Sequence, residues 1–169
     1  MHLLVAHGMA RTSLSLASLA RHLRRNGHRV TVTGYVAALE RFDAVCGRVR
    51  GQLERLAADA EPYALIGHSL GGLILRVALA AGPLSPEPRC LIMLGTPNQP
   101  PRLVQRFRHL WPYRIVTGQA GQLLSDPTFF AKLPPIRIPY TIITGTSGPR
   151  GRWSLFGEDA SKCSWLDHL

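Results

Sequence analysis

The sequence has few cysteines, few acidic residues and no long apolar run, and each shortage excludes a class of protein. Its three cysteines, Cys46, Cys90 and Cys163, are too far apart for a disulfide framework or a zinc site, so we predict no metal. The longest apolar stretch, 70–81, contains Arg76 and is shorter than the roughly 20 residues of a transmembrane helix. The first residues also lack the basic start and longer apolar run of a secretory signal. We therefore expect a cytoplasmic protein without a transmembrane segment.

Acidic residues number 10 against 20 basic ones, which gives a formal net charge of +10. All but two of the basic residues are arginines, the exceptions being Lys132 and Lys162. Such an excess favours anionic partners such as nucleic acid or a membrane surface. The arginines are spread along the chain, however, and their densest segment, 97–137, has few aromatic residues placed to stack on bases. We expect no nucleic-acid partner, and the oligomeric state stays open.

The length and composition suit one globular domain. The chain has 169 residues, of which 46% are hydrophobic and 18% charged. A chain of this size can bury a substantial core, whereas two full domains would be cramped. We predict a single domain over 1–169, with a proline- and arginine-rich insertion at about 97–137 and an irregular tail at about 146–169.

Short apolar runs alternate with longer helical patterns along the chain. Strands are predicted at 3–6, 29–33, 63–66, 90–94 and 140–144, and helices at 13–25, 38–60 and 70–81. This alternation implies right-handed crossovers and a parallel sheet with helices on both faces. The predicted fold class is α/β, a doubly wound parallel sheet of about five strands in the order 2-1-3-4-5. In that order the first and third strands are neighbours.

One segment carries chemistry, the Gly-x-Ser-x-Gly pattern of Gly67, Ser69 and Gly71. It follows an apolar strand and precedes an apolar helix, the setting in which this pattern presents a nucleophilic serine. A serine at such a sharp turn lies in strained backbone, and flanking glycines remove the Cβ atoms that would clash. The alternative is an ordinary tight turn in which the serine caps the helix.

A second feature lies at the end of the first strand, where His7, Gly8 and Met9 follow each other. If the first and third strands are neighbours, this loop lies beside Ser69. The backbone amides of Met9 and Leu70 would then form an oxyanion hole, and one such donor contributes about 2.7–4 kcal/mol to the transition state. The alternative is a simple turn that ends the strand.

Five segments together resemble bacterial α/β-hydrolases of the lipase and esterase type. They are Val-Ala-His-Gly-Met at 5–9, Gly-His-Arg-Val at 27–30, Ile-Gly-His-Ser-Leu-Gly-Gly at 66–72, Met-Leu-Gly-Thr-Pro at 93–97 and Pro-Tyr-Thr-Ile-Ile-Thr-Gly at 139–145. The resemblance implies hydrolysis of a small-molecule or lipid ester through an acyl-serine intermediate, with no cofactor. It also implies that His68 packs beside the site and is not the general base.

The resemblance places an acid and then a histidine after the fifth strand. Asp159 is the predicted acid, while Asp126, in the insertion, is expected to cap a helix or turn before Pro127. The only histidine after the fifth strand is His168, too close to Asp159 for a strand and its connections. We therefore expect the final strand and helix of the family to be missing, and whether His168 is the base stays open.

Two function classes follow from these residues. The first is a serine hydrolase that cleaves carboxylic esters, with activity impaired if the short C-terminus leaves it without a base. Its insertion, with the apolar residues Leu110, Trp111, Phe129 and Phe130, either lines an acyl pocket, forms a small lid or belongs to ordinary core and surface. Thioester hydrolysis and acyl transfer would use the same serine and are not distinguished by it. The second is a catalytically inactive hydrolase-fold protein that binds an anionic surface or a partner protein.

Overall fold

The computed structural model describes residues 1–9, 13–101 and 111–144, and for 111–116 it describes the backbone alone. The strands are β1 His2–Ala6, β2 Arg29–Val32, β3 Tyr63–His68, β4 Leu91–Leu94 and β5 Tyr140–Ile143. The helices are a 3₁₀ turn Ser13–Leu16, α1 Ala17–Arg25, α2 Phe42–Ala58, α3 Leu70–Ala80, α4 Trp111–Ser125 and α5 Pro127–Ala131. The alternation predicted from the sequence is therefore present.

The five strands form one parallel sheet in the order β2-β1-β3-β4-β5. The predicted fold class and strand order are confirmed. Strand β1 pairs with β3 in a register that sets Ala6 opposite Gly67, so both strands end at the same edge of the sheet. Loops that follow the carboxyl ends of neighbouring parallel strands meet at this edge, where ligands bind in open α/β sheets.

Each face of the sheet carries its own apolar core. On one face Leu4, Leu65 and Met93 pack against α2 and α3. On the other face Leu3 and Val5 belong to a smaller cluster. Helix α3 is apolar on most sides and largely buried, as expected of a helix enclosed between a sheet and a second helix. The cores thus hold the β3–α3 connection rigidly.

Helix α2 begins later than the sequence predicts. The pattern indicates a helix from 38, but residues 36–40 form a separate turn in which the Glu40 carboxylate accepts a hydrogen bond from the Val36 amide at 2.7 Å. Arg41 is then extended, and the helix starts at Phe42. Leu39, expected on the apolar helix face, is 85% exposed. A local side-chain bond to the backbone competes with helix formation here.

The insertion docks on the first residue of α2. The Phe42 amide donates a hydrogen bond to the Gln119 side-chain oxygen at 3.0 Å, and the Phe42 ring meets Phe129 edge-on with centroids 5.4 Å apart. Phe129 and Phe130 both pack against the main core, in agreement with the ordinary-core interpretation. Leu110 and the side chain of Trp111 lie outside the described part of the chain.

Two predicted helix ends are confirmed. Helix α1 ends at Arg25, the last residue of the helix predicted over 13–25. Gly27 follows with φ 79°, and its amide donates to the Arg24 carbonyl at 3.0 Å. Asp126 caps α5, since its carboxylate accepts a hydrogen bond from the Thr128 amide at 2.8 Å. Across the described ranges, no helix is long and apolar enough to span a membrane.

The predictions that concern the end of the chain fall outside the described residues. The irregular tail at 146–169, and the expectation that a final strand and helix are missing, lie in this part. The single domain over 1–169 extends into it as well. These stay predictions.

Candidate active site

Ser69 is held at an unusual backbone conformation between β3 and α3. Its φ of 52° and ψ of −119° lie where residues with a Cβ atom are rarely found. Such a residue costs of the order of 1–3 kcal/mol and persists only where its surroundings impose it. The Ser69 side chain makes no capping hydrogen bond to α3, so the capping alternative does not hold. The side chain is half-buried and so remains partly open to solvent.

The end of β4, the loop after it and the first turn of α3 together hold the Ser69 backbone. The Ser69 amide donates to the Leu94 carbonyl at 2.8 Å. The Ser69 carbonyl accepts from the Gly72 amide at 3.1 Å and from the Thr96 hydroxyl at 3.1 Å. Thr96 is 4% exposed and belongs to the Leu-Gly-Thr-Pro turn. The sequence resemblance singled out that turn, but its role as a clamp on the serine backbone comes from the structure.

Three glycines let the surrounding chain approach this turn. A Cβ atom at Gly67 would lie 2.4 Å from the Gly72 Cα, and one at Gly72 would lie 2.1 Å from the Thr96 hydroxyl oxygen. A Cβ atom at Gly71 would lie 2.3 Å from the Ala6 carbonyl oxygen. Heavy atoms do not approach this closely, so each position requires glycine. The pattern does not predict the need for glycine at position 72, because that need depends on Thr96 in the turn after β4.

The loop after β1 lies against Ser69. A Cβ atom at Gly8 would be 3.1 Å from the Ser69 Cβ and 3.0 Å from the Nδ1 atom of His68. Met9 follows Gly8 and packs, half-buried, against the main core. The pairing of β1 with β3 thus brings the Gly8-Met9 loop, the Ser69 side chain and the half-buried His68 ring together at one edge of the sheet.

Leu70 is the first residue of α3 and is 1% exposed. Its amide belongs to the first turn of the helix, whose N–H groups have no acceptor within the helix. The same end carries the positive pole of the helix dipole. A negative charge that develops next to Ser69 would therefore meet a favourable field.

His7 is fully buried, and both of its ring nitrogens lie close to backbone carbonyl oxygens. Its Nδ1 lies 2.9 Å from the Gly8 carbonyl oxygen and its Nε2 lies 3.1 Å from the Tyr35 carbonyl oxygen. The ring stacks on Tyr35 with centroids 4.0 Å apart, and the Tyr35 hydroxyl donates to the His7 carbonyl. Burial raises the pKa of Tyr35 above its usual range, so the hydroxyl stays protonated as a donor. Sequence reasoning missed Tyr35 because nothing in the local pattern marks it.

The predicted acid Asp159, and His168, lie outside the described residues. Within the described ranges, no group of three His, Cys, Asp or Glu side chains is placed to hold a metal ion. Cys46 is buried in the core, and burial raises the pKa of its thiol to about 12. It is not a reactive thiolate.

The sequence from 1 to 114 matches the family model described as "Thioesterase domain". That match spans β1 to β4 and includes Ser69 and the Gly8-Met9 loop. The chain belongs to the thioesterase domain family. No curated protein matches the sequence significantly.

Solved structures share the fold. An extracellular α/β-hydrolase from a Paenibacillus species aligns with a TM-score of 0.60 at 16% identity, over 90% of this chain and 82% of that one. The Bacillus licheniformis lipase BlEst2 aligns with a TM-score of 0.63 at 17% identity, over 76% of this chain and 56% of that one. The NocB thioesterase domain, in covalent complex with a fluorophosphonate nocardicin G analog, has a TM-score of 0.55 at 22% identity, over 89% and 74% of the two chains.

These likenesses show the fold and confirm the resemblance to α/β-hydrolases drawn from the sequence. At such identities they do not transfer a substrate. The chain spans little more than half of the Bacillus lipase. One neighbour is extracellular, and the expected cytoplasmic location stays a prediction.

Proposed function

We propose that this thioesterase-family protein is a serine hydrolase that cleaves an acyl thioester, or a carboxylic ester, through an acyl intermediate on Ser69. The observation that carries the proposal is the strained turn at Ser69, with φ 52°, facing the Gly8 loop. Strain of this kind clusters at active sites, where the surrounding structure holds the residue in place. The half-buried side chain is partly open to solvent.

In the proposed reaction the Ser69 hydroxyl oxygen attacks the acyl carbonyl carbon while a base takes the hydroxyl proton. The carbonyl oxygen becomes an oxyanion and accepts hydrogen bonds from the Leu70 and Met9 amides. The tetrahedral intermediate then collapses, the bond to the leaving sulfur or oxygen breaks, and the base returns the proton to that atom. Water attacks the acyl-serine in the same way and releases the acid.

The oxyanion site gains strength from its surroundings. Leu70 is buried, so its amide acts in a region of low dielectric constant. Gly8 has no side chain between its loop and Ser69, and the 3.1 Å clearance leaves no space for one without a shift of the neighbours. Each preorganised donor contributes about 2.7–4 kcal/mol to the transition state.

Family membership favours thioesters as substrates, whereas the fold shared with lipases and esterases does not choose between the two bonds. A thiolate is also a better leaving group than an alkoxide, so thioester cleavage depends less on protonation of the leaving atom by a general acid. The two classes are separated by measuring kcat/KM on a matched pair, the same short acyl group carried by a thiol and by an alcohol.

A fluorophosphonate probe tests the nucleophile. The folded wild-type protein is expected to form a phosphonyl adduct, and peptide mass spectrometry is expected to place it on Ser69. Ser125→Ala is the matched control, because the Ser125 hydroxyl donates to the Gln122 carbonyl at 2.6 Å and belongs to α4. Labelling should persist in this control and vanish in Ser69→Ala. A folded protein, shown by circular dichroism, that forms no adduct on Ser69 would refute the proposal.

Asp159 keeps its predicted role as the acid that orients the base. Asp159→Asn is expected to lower kcat about 10⁴-fold, because an amide in place of the carboxylate favours the wrong histidine tautomer. Asp126→Asn is the matched control, since asparagine also caps a helix well and Asp126 caps α5. Equal kcat values for the two variants would show that Asp159 is not the acid of the site. His168→Ala, measured alongside, decides whether His168 is the base.

A further inference from the structure

Tyr35 and His7 are joined by three contacts, although they are 28 positions apart in the chain. The Tyr35 hydroxyl donates to the His7 carbonyl. The His7 Nε2 atom faces the Tyr35 carbonyl at 3.1 Å, and the two rings are stacked with an interplanar angle of 17°. The two residues are 6% and 0% exposed. The loop after β2 is thereby tied to the loop after β1.

The His7 peptide is confined from two sides. The Tyr35 hydroxyl approaches its carbonyl from one direction. The first turn of α3 packs close by, since a Cβ atom at Gly71 would lie 2.7 Å from the His7 carbonyl oxygen. The His7 ring in turn reaches the Gly8 carbonyl through Nδ1 at 2.9 Å. These groups are buried, so the loop has little room to shift.

We infer that Tyr35 is a positioning residue for the Met9 amide, an inference that rests on the proposed role of Met9 as an oxyanion donor. Met9 lies two residues beyond the carbonyl that Tyr35 holds, and Gly8 between them has no side chain of its own to anchor it. A backbone donor must be held to within about 0.5 Å of its productive position. Tyr35 acts through the His7 peptide.

Tyr35→Phe tests the inference, because it keeps the stacked ring and removes only the hydroxyl. Tyr63→Phe is the matched control. Tyr63 is 1% exposed, and its hydroxyl donates to the Pro86 carbonyl at 2.9 Å, but it begins β3 at the opposite edge of the sheet. Each substitution deletes one tyrosine hydroxyl bonded to a backbone carbonyl. Both are therefore expected to lower Tm to a similar, small extent.

The readouts are kcat and KM on an acyl substrate, and hydrogen exchange in peptides that cover 3–9. Tyr35→Phe is expected to lower kcat about 10- to 100-fold with KM within about twofold, since the donor acts in the transition state. It should also speed exchange at 7–9. Tyr63→Phe should change neither. Equal kcat losses in the two variants, or no loss in Tyr35→Phe, would overturn the inference.

Hydrogen exchange keeps this test separate from that of the proposed function. If the wild-type protein neither hydrolyses substrate nor accepts the fluorophosphonate, the proposed function fails, and exchange alone reports on the loop. Faster exchange at 7–9 in Tyr35→Phe but not in Tyr63→Phe would still support the conclusion that Tyr35 restrains the loop after β1. Unchanged exchange in Tyr35→Phe would overturn it.

Discussion

Ser69→Ala is expected to lower kcat/KM by at least about a thousandfold while the protein stays folded. The loss follows from the proposed chemistry, because no covalent intermediate forms without the hydroxyl. The fold should survive, because the Ser69 side chain does not cap α3 and the contacts that hold the turn come from its backbone. Steady-state kinetics on a thioester and an ester, with thermal melts on the same samples, measure both effects. A retained kcat/KM would remove Ser69 as the nucleophile.

Ser69→Gly separates the proposed chemical role of Ser69 from the effect of its backbone strain on stability. Glycine adopts φ 52° without strain, so this variant should be more stable than wild type by about 1 kcal/mol. For a domain of this size that corresponds to a rise in Tm of about 2–4 °C. Ser69→Ala keeps the Cβ atom, and its Tm should stay within about 2 °C of wild type. Both variants should be inactive. A glycine variant that melts below the alanine variant would contradict the strain argument.

Gly71→Ala is expected to destabilise the protein strongly and to impair hydrolysis. The added Cβ atom would lie 2.3 Å from the Ala6 carbonyl oxygen and 2.7 Å from that of His7. Both are backbone atoms, so the clash is relieved only by moving α3 or the end of β1. Overpacking of this kind costs about 3 kcal/mol, or about 6–12 °C in Tm here. Because those two segments carry Leu70 and Met9, a shift of about 1 Å should also lower kcat about 100-fold.

Gly47→Ala is the matched control for this substitution. Gly47 also lies inside a helix, α2, but it is exposed, and a Cβ atom there would have no neighbour within 4 Å. Alanine is the better helix former by about 1 kcal/mol, so this variant should melt higher than wild type with unchanged kcat. The same substitution is thus expected to lower Tm at Gly71 and to raise it at Gly47. A Gly71→Ala protein with wild-type Tm and kcat would show that α3 and β1 do not pack as described.

Much of the architecture can be predicted from the sequence because the signals are local. The apolar run before Gly67 predicts a buried strand, and β3 is observed at Tyr63–His68. The left-handed end of α1 at Gly27 and the cap at Asp126 are decided by one or two residues. Alternating strands and helices with right-handed crossovers predict a doubly wound parallel sheet, for which 2-1-3-4-5 is one of the two common strand orders and is the one observed. The start of α2 was predicted wrongly, because the Glu40 carboxylate closes a turn that periodicity does not report.

The serine at a glycine-flanked turn can be predicted from the Gly-x-Ser-x-Gly pattern together with the apolar strand before it and the apolar helix after it, since all three signals are local in the sequence. The groups that hold the turn cannot be recognised in this way. Thr96 reaches the Ser69 carbonyl, and Tyr35 the His7 carbonyl, from 27 and 28 positions away. A threonine or tyrosine in a loop has many possible partners, and only the strand order selects one. The local sequence therefore marks the proposed nucleophile, whereas the packing of three separate loops decides how its backbone is held.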